Sequence, residues 1–374
     1  MKMSDRLQKA PLSGIRKMFD LAGSGSINLS LGEPDVSPPD EAVRGMSEAA
    51  AKGLNRYGPT PGIMPLREAV AYRYKRHGIE SGNVMITPSG TTALLMIAQS
   101  LIDPGDEALV PSPGFVVYGP HTALSSGRPI DYKLTDDGFQ PDIDDIQRKI
   151  TKRTKVVFLN YPSNPTGGIL SEESFKAIRD ISADKNIIIV SDEVYEPFVY
   201  EGEHISFMGE LDNAIVVNGF SKMMAITGWR MGFVTAGKDV ITDLTKMAYH
   251  VCASPNMPAQ YGILSAMPAI DTYLDGVRRT YKRRRDLITS RISNIDGMDM
   301  DAPKGAFYAF PKFGYDMTSE ELAMRLVKNG LICVPGSAFG QYGEGHLRFS
   351  YAADEDKISR GMDILEKVAN GIKG

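Results

Sequence analysis

The chain has 374 residues, is 42% hydrophobic and 24% charged, and carries a formal net charge of -4. That length is too great for one small core and suits a large domain joined to a smaller one. The mild acidity gives no general attraction to nucleic acid or an anionic membrane, so chemistry on small molecules is the starting expectation.

The N-terminal "MKMSDRLQKAPLSG" lacks the apolar core of a signal peptide, and no apolar run approaches the ~20 residues that span a bilayer. The expected location is therefore the cytoplasm. Cys252 and Cys333 lie far apart and match no metal spacing, and neither do the histidines His77, His121, His204, His250 and His346. The cysteines are expected to pack as small hydrophobes in a reduced compartment, and no metal site is expected.

From about residue 84 to 235, short apolar runs alternate with helix-like stretches. The runs are "NVMITPSG", "EALVPSPGF", "KVVFLNYPSNPTG", "NIIIVSDEVY", "NAIVVNGFSK" and "RMGFVTAG". Each is rich in Val and Ile, lacks polar alternation and ends in Gly, Pro, Ser or Asn. Such runs predict strands buried on both faces of a mostly parallel sheet covered by helices, an α/β architecture. Residues 91–102 and 171–186 have helical patterning between them. After residue 270 the texture changes to one long helix over 270–295, then "GAFYAFPKF", a helix over 319–329, "GLICVPGSAFG", "HLRFSYA" and a closing helix. This reads as a smaller α+β domain over 276–374, joined by an N-terminal segment 1–39 that wraps back onto it, with the large domain over 40–275. The basic cluster Arg278, Arg279, Lys282, Arg283, Arg284 and Arg285 has acidic flanks and reads as a solvated helix face.

In an open α/β sheet, ligands bind beyond the carboxyl ends of the strands. Several of these strands end in different functional groups: Gly90-Thr91-Thr92, Asn164, Asp192 with Tyr195, and Lys222. Gly90 and Thr91 open a helix, whose free N–H groups and dipole can hold a phosphate. Arg230 can add a fixed guanidinium to the same phosphate. Asp192 can pair with a protonated ring nitrogen, Asn164 and Tyr195 can hydrogen-bond a phenolic oxygen, and Phe115 can lie on the ring face. A lysine of lowered pKa can form a Schiff base with an aldehyde. Phosphate, pyridine nitrogen, phenolate and aldehyde together describe pyridoxal 5'-phosphate (PLP).

The ordered set "SLGEPD", "YGPTPGI", "PSGTTAL", "PSPGFVVY", "YPSNPTGG", "SDEVY", "FSKMMAITGWRMG" and "HLRFSYA" resembles the class I/II aminotransferases, PLP enzymes of fold type I related to aspartate aminotransferase. The likeness runs from about residue 12 to 353. It implies that Lys222 forms the internal Schiff base and moves the reacting proton, with Asp192 and Tyr195 as the other catalytic residues. It implies a cofactor site made of Gly90, Thr91, Thr92, Phe115, Asn164, Asp192, Tyr195, Lys222 and Arg230, with Tyr57 reaching in from the other subunit of a homodimer. Arg348 resembles the arginine that grips the substrate α-carboxylate, with Gly32 and Asn164 beside it. One departure stands at Gly219, where the aspartate enzymes often carry a phosphate-binding serine; Ser221 is the nearest substitute.

Taken singly, Asp192 would read as a cap or ion-pair partner, Tyr195 and Phe115 as core aromatics, Gly32 and Gly90 as turn residues, Arg348 as a surface ion-pair member and Lys222 as a solvated loop lysine. The ordered set reverses this for Lys222, Asp192, Asn164, Tyr195, Arg230 and Arg348. The implied reaction moves an amino group from an L-amino acid to a 2-oxo acid, 2-oxoglutarate above all, in two half-reactions. Aspartate is the first expectation for the donor and aromatic amino acids the second. The N-terminal "PLSGIRKMFDLA" is similar to the prokaryotic branch holding aspartate, aromatic and alanine transaminases. A PLP-dependent carbon–sulfur lyase is the alternative, since "PGFVVY" is similar to the stacking motif of that branch. A non-catalytic PLP-binding regulator is more remote, because such proteins add a DNA-binding domain.

Overall fold

The structure, a computed structural model, describes residues 3–8, 10, 14, 18, 23, 25–210 and 212–373. Its centre is a seven-stranded sheet. The strands are β1 (Val84–Thr87), β2 (Glu107–Ser112), β3 (Arg128–Lys133), β4 (Thr154–Asn160), β5 (Ile188–Asp192), β6 (Ala214–Gly219) and β7 (Gly232–Thr235). Across the sheet they run β1-β7-β6-β5-β4-β2-β3. All neighbours are parallel except β7, which is antiparallel to both β1 and β6. Every residue of β1, β2, β6 and β7 is buried, as expected for strands covered on both faces.

The apolar runs account for all but one of these strands. The missed one, β3, is "RPIDYK" at the sheet edge, where only Tyr132 is buried. An edge strand covered on few sides needs no apolar run, so nothing in its residues announced it.

Helix boundaries follow capping chemistry. The helix Glu172–Lys185 starts at Ser171, whose hydroxyl accepts from the Ser174 N–H, and ends at Asn186 in the left-handed conformation. The helix Ser319–Lys328 opens with a Thr318–Glu321 capping box.

The two ends of the chain share one framework. Ile27–Asn28 pairs in parallel with Leu331–Ile332, and the Ser350 N–H donates to the Leu29 carbonyl at 2.7 Å. Beside them Tyr308–Ala309, Leu347–Ser350 and Val334–Pro335 form a three-stranded antiparallel sheet. The helices Ile270–Ser293 and Glu355–Lys373 pack on this framework. Of the stretch 11–22, only Gly14 and Met18 are described, so the "PLSGIRKMFDLA" likeness lies largely outside the described residues.

The solvated-face reading of the basic cluster fails at two positions. Arg284 and Arg285 are buried, at 8% and 3% exposure. Arg284 makes a two-pronged contact with Asp35 at 2.7 and 2.9 Å, tying the long helix to the N-terminal segment. Arg285 reaches Glu201 at 2.6 Å and the Pro303 carbonyl at 3.2 Å. The helix needs cations on its inner stripe because the segments packed against it present carboxylates there. Cys252 and Cys333 are both free thiols. Among the described residues, no helix is long and apolar enough to cross a membrane.

Candidate active site

The carboxyl ends of β1, β4, β5 and β6 open on a cavity of about 210 Å3. Strand β6 runs straight into the short helix Phe220–Met223, which carries Lys222. The half-buried Lys222 has no carboxylate partner among the described residues; its amine donates to the Gly32 carbonyl at 2.7 Å. Burial pushes its pKa down to about 8; Glu33 opposes the shift, and the cations of Arg230 and Arg348 add to it. A lysine placed this way keeps about a tenth of its amine neutral and nucleophilic at pH 7, far more than an ordinary lysine does.

Asp192, the last residue of β5, is buried at 4% exposure. It accepts from the Tyr118 hydroxyl at 2.9 Å and the Val194 N–H at 3.3 Å, and no cation faces it among the described residues. Burial raises its pKa to about 6, against the pull of the Tyr118 bond. A cationic partner would reverse that penalty. Tyr118 stacks on Phe158 with centroids 5.2 Å apart and meets Phe115 edge-on at 5.9 Å. The strand alternation turns Glu193 the other way. There Ser191, Ser206, the Phe207 N–H and His204 all satisfy it, which pins the turn that carries Asp192 and Tyr195.

One end of the cavity is formed by the start of the helix Gly90–Leu101. Ser89, its N-cap, accepts from the Thr92 N–H at 3.2 Å, and its hydroxyl lies 3.0 Å from that of Thr92. Thr92 is thus occupied in capping and does not line the cavity, whereas Ser89, Gly90 and Thr91 do. The first-turn N–H groups of Gly90 and Thr91 have no acceptor within the helix. A side chain at Gly232 would come within 2.7 Å of the Gly90 nitrogen, so glycine there lets β7 pass close behind this cradle. Arg230 also lines the cavity, held by a bond to the Thr227 carbonyl at 2.7 Å. Ser221 lines the wall, as does Gly219.

The opposite wall comes from the chain ends. Arg348 is buried at 1% exposure with no carboxylate partner among the described residues. It donates to Asn164 Oδ1 at 2.8 Å and to the Ser30 carbonyl, and lies over the rings of Tyr308 and Phe339 at 4.5 and 4.9 Å. Its Nε has no partner, and burial lowers its pKa. A side chain on Gly32 would collide with the Tyr308 hydroxyl, so that approach requires glycine. Tyr195 meets Tyr308, hydroxyl to hydroxyl, at 2.7 Å.

The structure therefore brings together Gly32, Gly90, Thr91, Phe115, Asn164, Asp192, Tyr195, Lys222, Arg230 and Arg348. It leaves out Thr92 and Tyr57. Tyr57 is 89% exposed and lines a separate surface recess with Arg56, Ser254 and Met257. The sequence reading missed Ser89, Asn160, Tyr118 and Tyr308. Asn160 was legible as a strand-end polar residue, since it accepts from the Asn164 N–H and donates to the Asp192 carbonyl.

This cavity holds three cations (Lys222, Arg230, Arg348) against one carboxylate (Asp192). The donor set fits PLP: unpaired first-turn N–H groups and Arg230 for a phosphate, an unpaired carboxylate for a ring nitrogen, hydroxyls and an amide for an oxygen, and an amine for an aldehyde.

The family model for aminotransferase class I and II matches residues 24–365. An aromatic-amino-acid aminotransferase 2 from Thermococcus litoralis is 37% identical, over 98% of each chain. A probable aspartate aminotransferase from Methanocaldococcus jannaschii is 36% identical, over 98% of this chain and 99% of that one. The solved aspartate aminotransferase from Thermus thermophilus with maleate superposes with a TM-score of 0.93 at 31% identity, covering 98% of this chain and 100% of that one. The chain belongs to the class I and II aminotransferases. It has their fold and is an aminotransferase acting on amino acids and 2-oxo acids. Membership in this family implies dependence on PLP.

Proposed function

We propose that this aminotransferase moves the amino group of an L-amino acid to 2-oxoglutarate in two half-reactions, with aspartate as the first donor and aromatic amino acids as the second. The observation that carries the reading is the cavity's charge balance: Arg348 is a fully buried cation without a carboxylate, so the site lacks an anion that a substrate α-carboxylate supplies. The printed names of the relatives, aspartate and aromatic aminotransferases, support the choice of donors.

Gly90, Thr91 and Arg230 would hold the cofactor phosphate, Asp192 its ring nitrogen, Asn164 and Tyr195 its ring oxygen, and Lys222 its aldehyde carbon through a covalent Schiff-base bond. Phe115 would bound one ring face. When bound, the cofactor supplies an electron sink that makes the substrate's Cα–H bond acidic. Freed from that bond by exchange with the substrate's own amine, the Lys222 amine would take the proton from that Cα and return it on the other side of the exchange. Asp192, a buried carboxylate, would favour a protonated ring nitrogen there. Arg348 orients the substrate, and the segments 1–39 and 276–374 act as one small domain that closes on the large domain 40–275 and excludes water.

Tyr57, exposed on one chain, would complete the phosphate site of a second chain in a homodimer. The test is a single half-reaction. The PLP-loaded protein is mixed with aspartate, glutamate, alanine, phenylalanine, tyrosine or cystathionine without an acceptor, and its absorbance is followed. Stoichiometric conversion by aspartate, reversed by 2-oxoglutarate, is expected. Continuous release of pyruvate and ammonia from cystathionine would replace the transaminase reading with a lyase.

A further inference from the structure

Tyr195 and Tyr308 are buried, at 5% and 1% exposure, and their hydroxyls lie 2.7 Å apart. Two hydroxyls hold two protons, and one hydrogen bond uses one of them. Among the described residues neither hydroxyl has another partner, so one buried O–H is left without an acceptor in the protein. Both side chains line the cavity, where a ligand acceptor would sit. The two tyrosines come from opposite walls. Tyr195 follows β5, while Tyr308 belongs to the three-stranded sheet of the chain ends. Tyr308 also carries the Arg348 guanidinium over its ring at 4.5 Å and blocks any side chain at position 32.

We propose that Tyr308 is a positioning residue of this site: its hydroxyl donates to Tyr195 across the domain boundary, which turns the Tyr195 proton toward the cofactor's ring oxygen, while its ring seats Arg348. The direction of donation follows from the proton count. Tyr195 has one O–H, and where that proton faces an acceptor in the cavity, the bond between the two hydroxyls must use the proton of Tyr308. A donated hydrogen bond makes Tyr195 in turn a stronger donor, which favours negative charge on the oxygen it faces. One residue thereby links the grip on the substrate carboxylate to the electronics of the cofactor.

The inference rests on the reading of this cavity as the PLP site, and its test separates the two. Wild type, Tyr308→Phe, Tyr195→Phe and the double variant are loaded with PLP, and the pH at which the bound cofactor's absorption bands interchange is measured, with cofactor affinity alongside. Tyr308→Phe keeps the ring and loses the hydroxyl. Its midpoint is expected to rise by about one pH unit, since the anionic oxygen loses part of its support, with cofactor binding about fivefold weaker. On a Tyr195→Phe background the same change is expected to move the midpoint no further. The substrate KM is expected to rise slightly in Tyr308→Phe, which cuts one contact between the walls, and several-fold more in Tyr308→Leu, which also removes the seat of Arg348. An unchanged midpoint in Tyr308→Phe, or equal shifts on both backgrounds, would reduce the tyrosine pair to core packing. Failure of wild type to bind PLP would instead overturn the site reading itself.

Discussion

The two walls of the cavity are built differently. Asn164, Asp192 and Lys222 stand at or just past the ends of β4, β5 and β6, so the ladder that aligns those strands also sets their spacing, and Gly90 follows β1, which β7 ties to β6. Their supports are local: Ser89 for the helix start, Asn160 for Asn164 and the Asp192 carbonyl, Tyr118 for the Asp192 carboxylate. Among the described residues the facing wall has no such ladder to the large sheet. At the cavity each of its residues reaches across once, Gly32 to Lys222, Tyr308 to Tyr195 and Arg348 to Asn164, while behind Tyr308 backbone bonds join Lys304, Gly305 and Ala306 to Tyr200, Gly167 and Phe198. Groups held by a sheet stay in register through many turnovers, whereas Gly32 and Arg348, each bonded once across the cavity, can part from it and return. The first suits the fixed electronics of a cofactor, and the second suits a substrate that enters and leaves.

This contrast can be broken from either side. Damage to the first wall is expected to lower rate, and damage to the second to weaken substrate capture. The largest effect belongs to Lys222→Ala, with kcat down about 10^4-fold and the fold intact, measured by steady-state kinetics beside a thermal melt. Asp192→Asn is expected to lower kcat about 10^2-fold with little change in KM, since a neutral amide no longer favours a protonated ring nitrogen. Across the cavity, Arg348→Lys is expected to raise KM for the amino acid by ten- to a hundredfold with a smaller loss of kcat. Lysine keeps the charge but not the two-pronged fork or the stacking on Tyr308 and Phe339. A kcat loss as great as that of Asp192→Asn would mean the two walls are one rigid unit.

Two smaller effects sharpen the same line. Asp35→Asn leaves the buried Arg284 with a neutral partner and is expected to cost about 1–3 kcal/mol in urea unfolding, loosening the N-terminal segment that carries Gly32. The pH profile tests Lys222 directly. Its pKa is lowered to about 8, so the charged, unreactive form prevails below that pH and the neutral amine above it. In the cofactor-free protein, acylation of Lys222 is expected to rise with a midpoint near pH 8, roughly two units below an ordinary lysine.

The difference between the walls also governs what could be read from the sequence. The first wall was legible because each chemical group ends an apolar run, so a local pattern reports its place. On the second wall Arg348 and Gly32 were reached only through the family resemblance, and Tyr308 not at all. Its neighbours Tyr195 and Arg348 lie far away along the chain and meet it only through packing. Thr92 misled because a helix's first turn offers both capping and ligand positions, and only geometry divides them. Arg284 and Arg285 misled for the opposite reason. Their partners Asp35 and Glu201 are distant in sequence, so a helix stripe that is buried and paired looked like one that faces water.

The most direct measurement fixes the covalent link. The PLP-loaded protein is reduced with borohydride and digested, and the peptides are weighed by mass spectrometry. One reduced pyridoxyl phosphate on the peptide containing Lys222, and on no other lysine, is the predicted result. A label on a different lysine, or a protein that binds PLP and takes no label at all, would contradict the central claim that Lys222 is the residue that holds the cofactor.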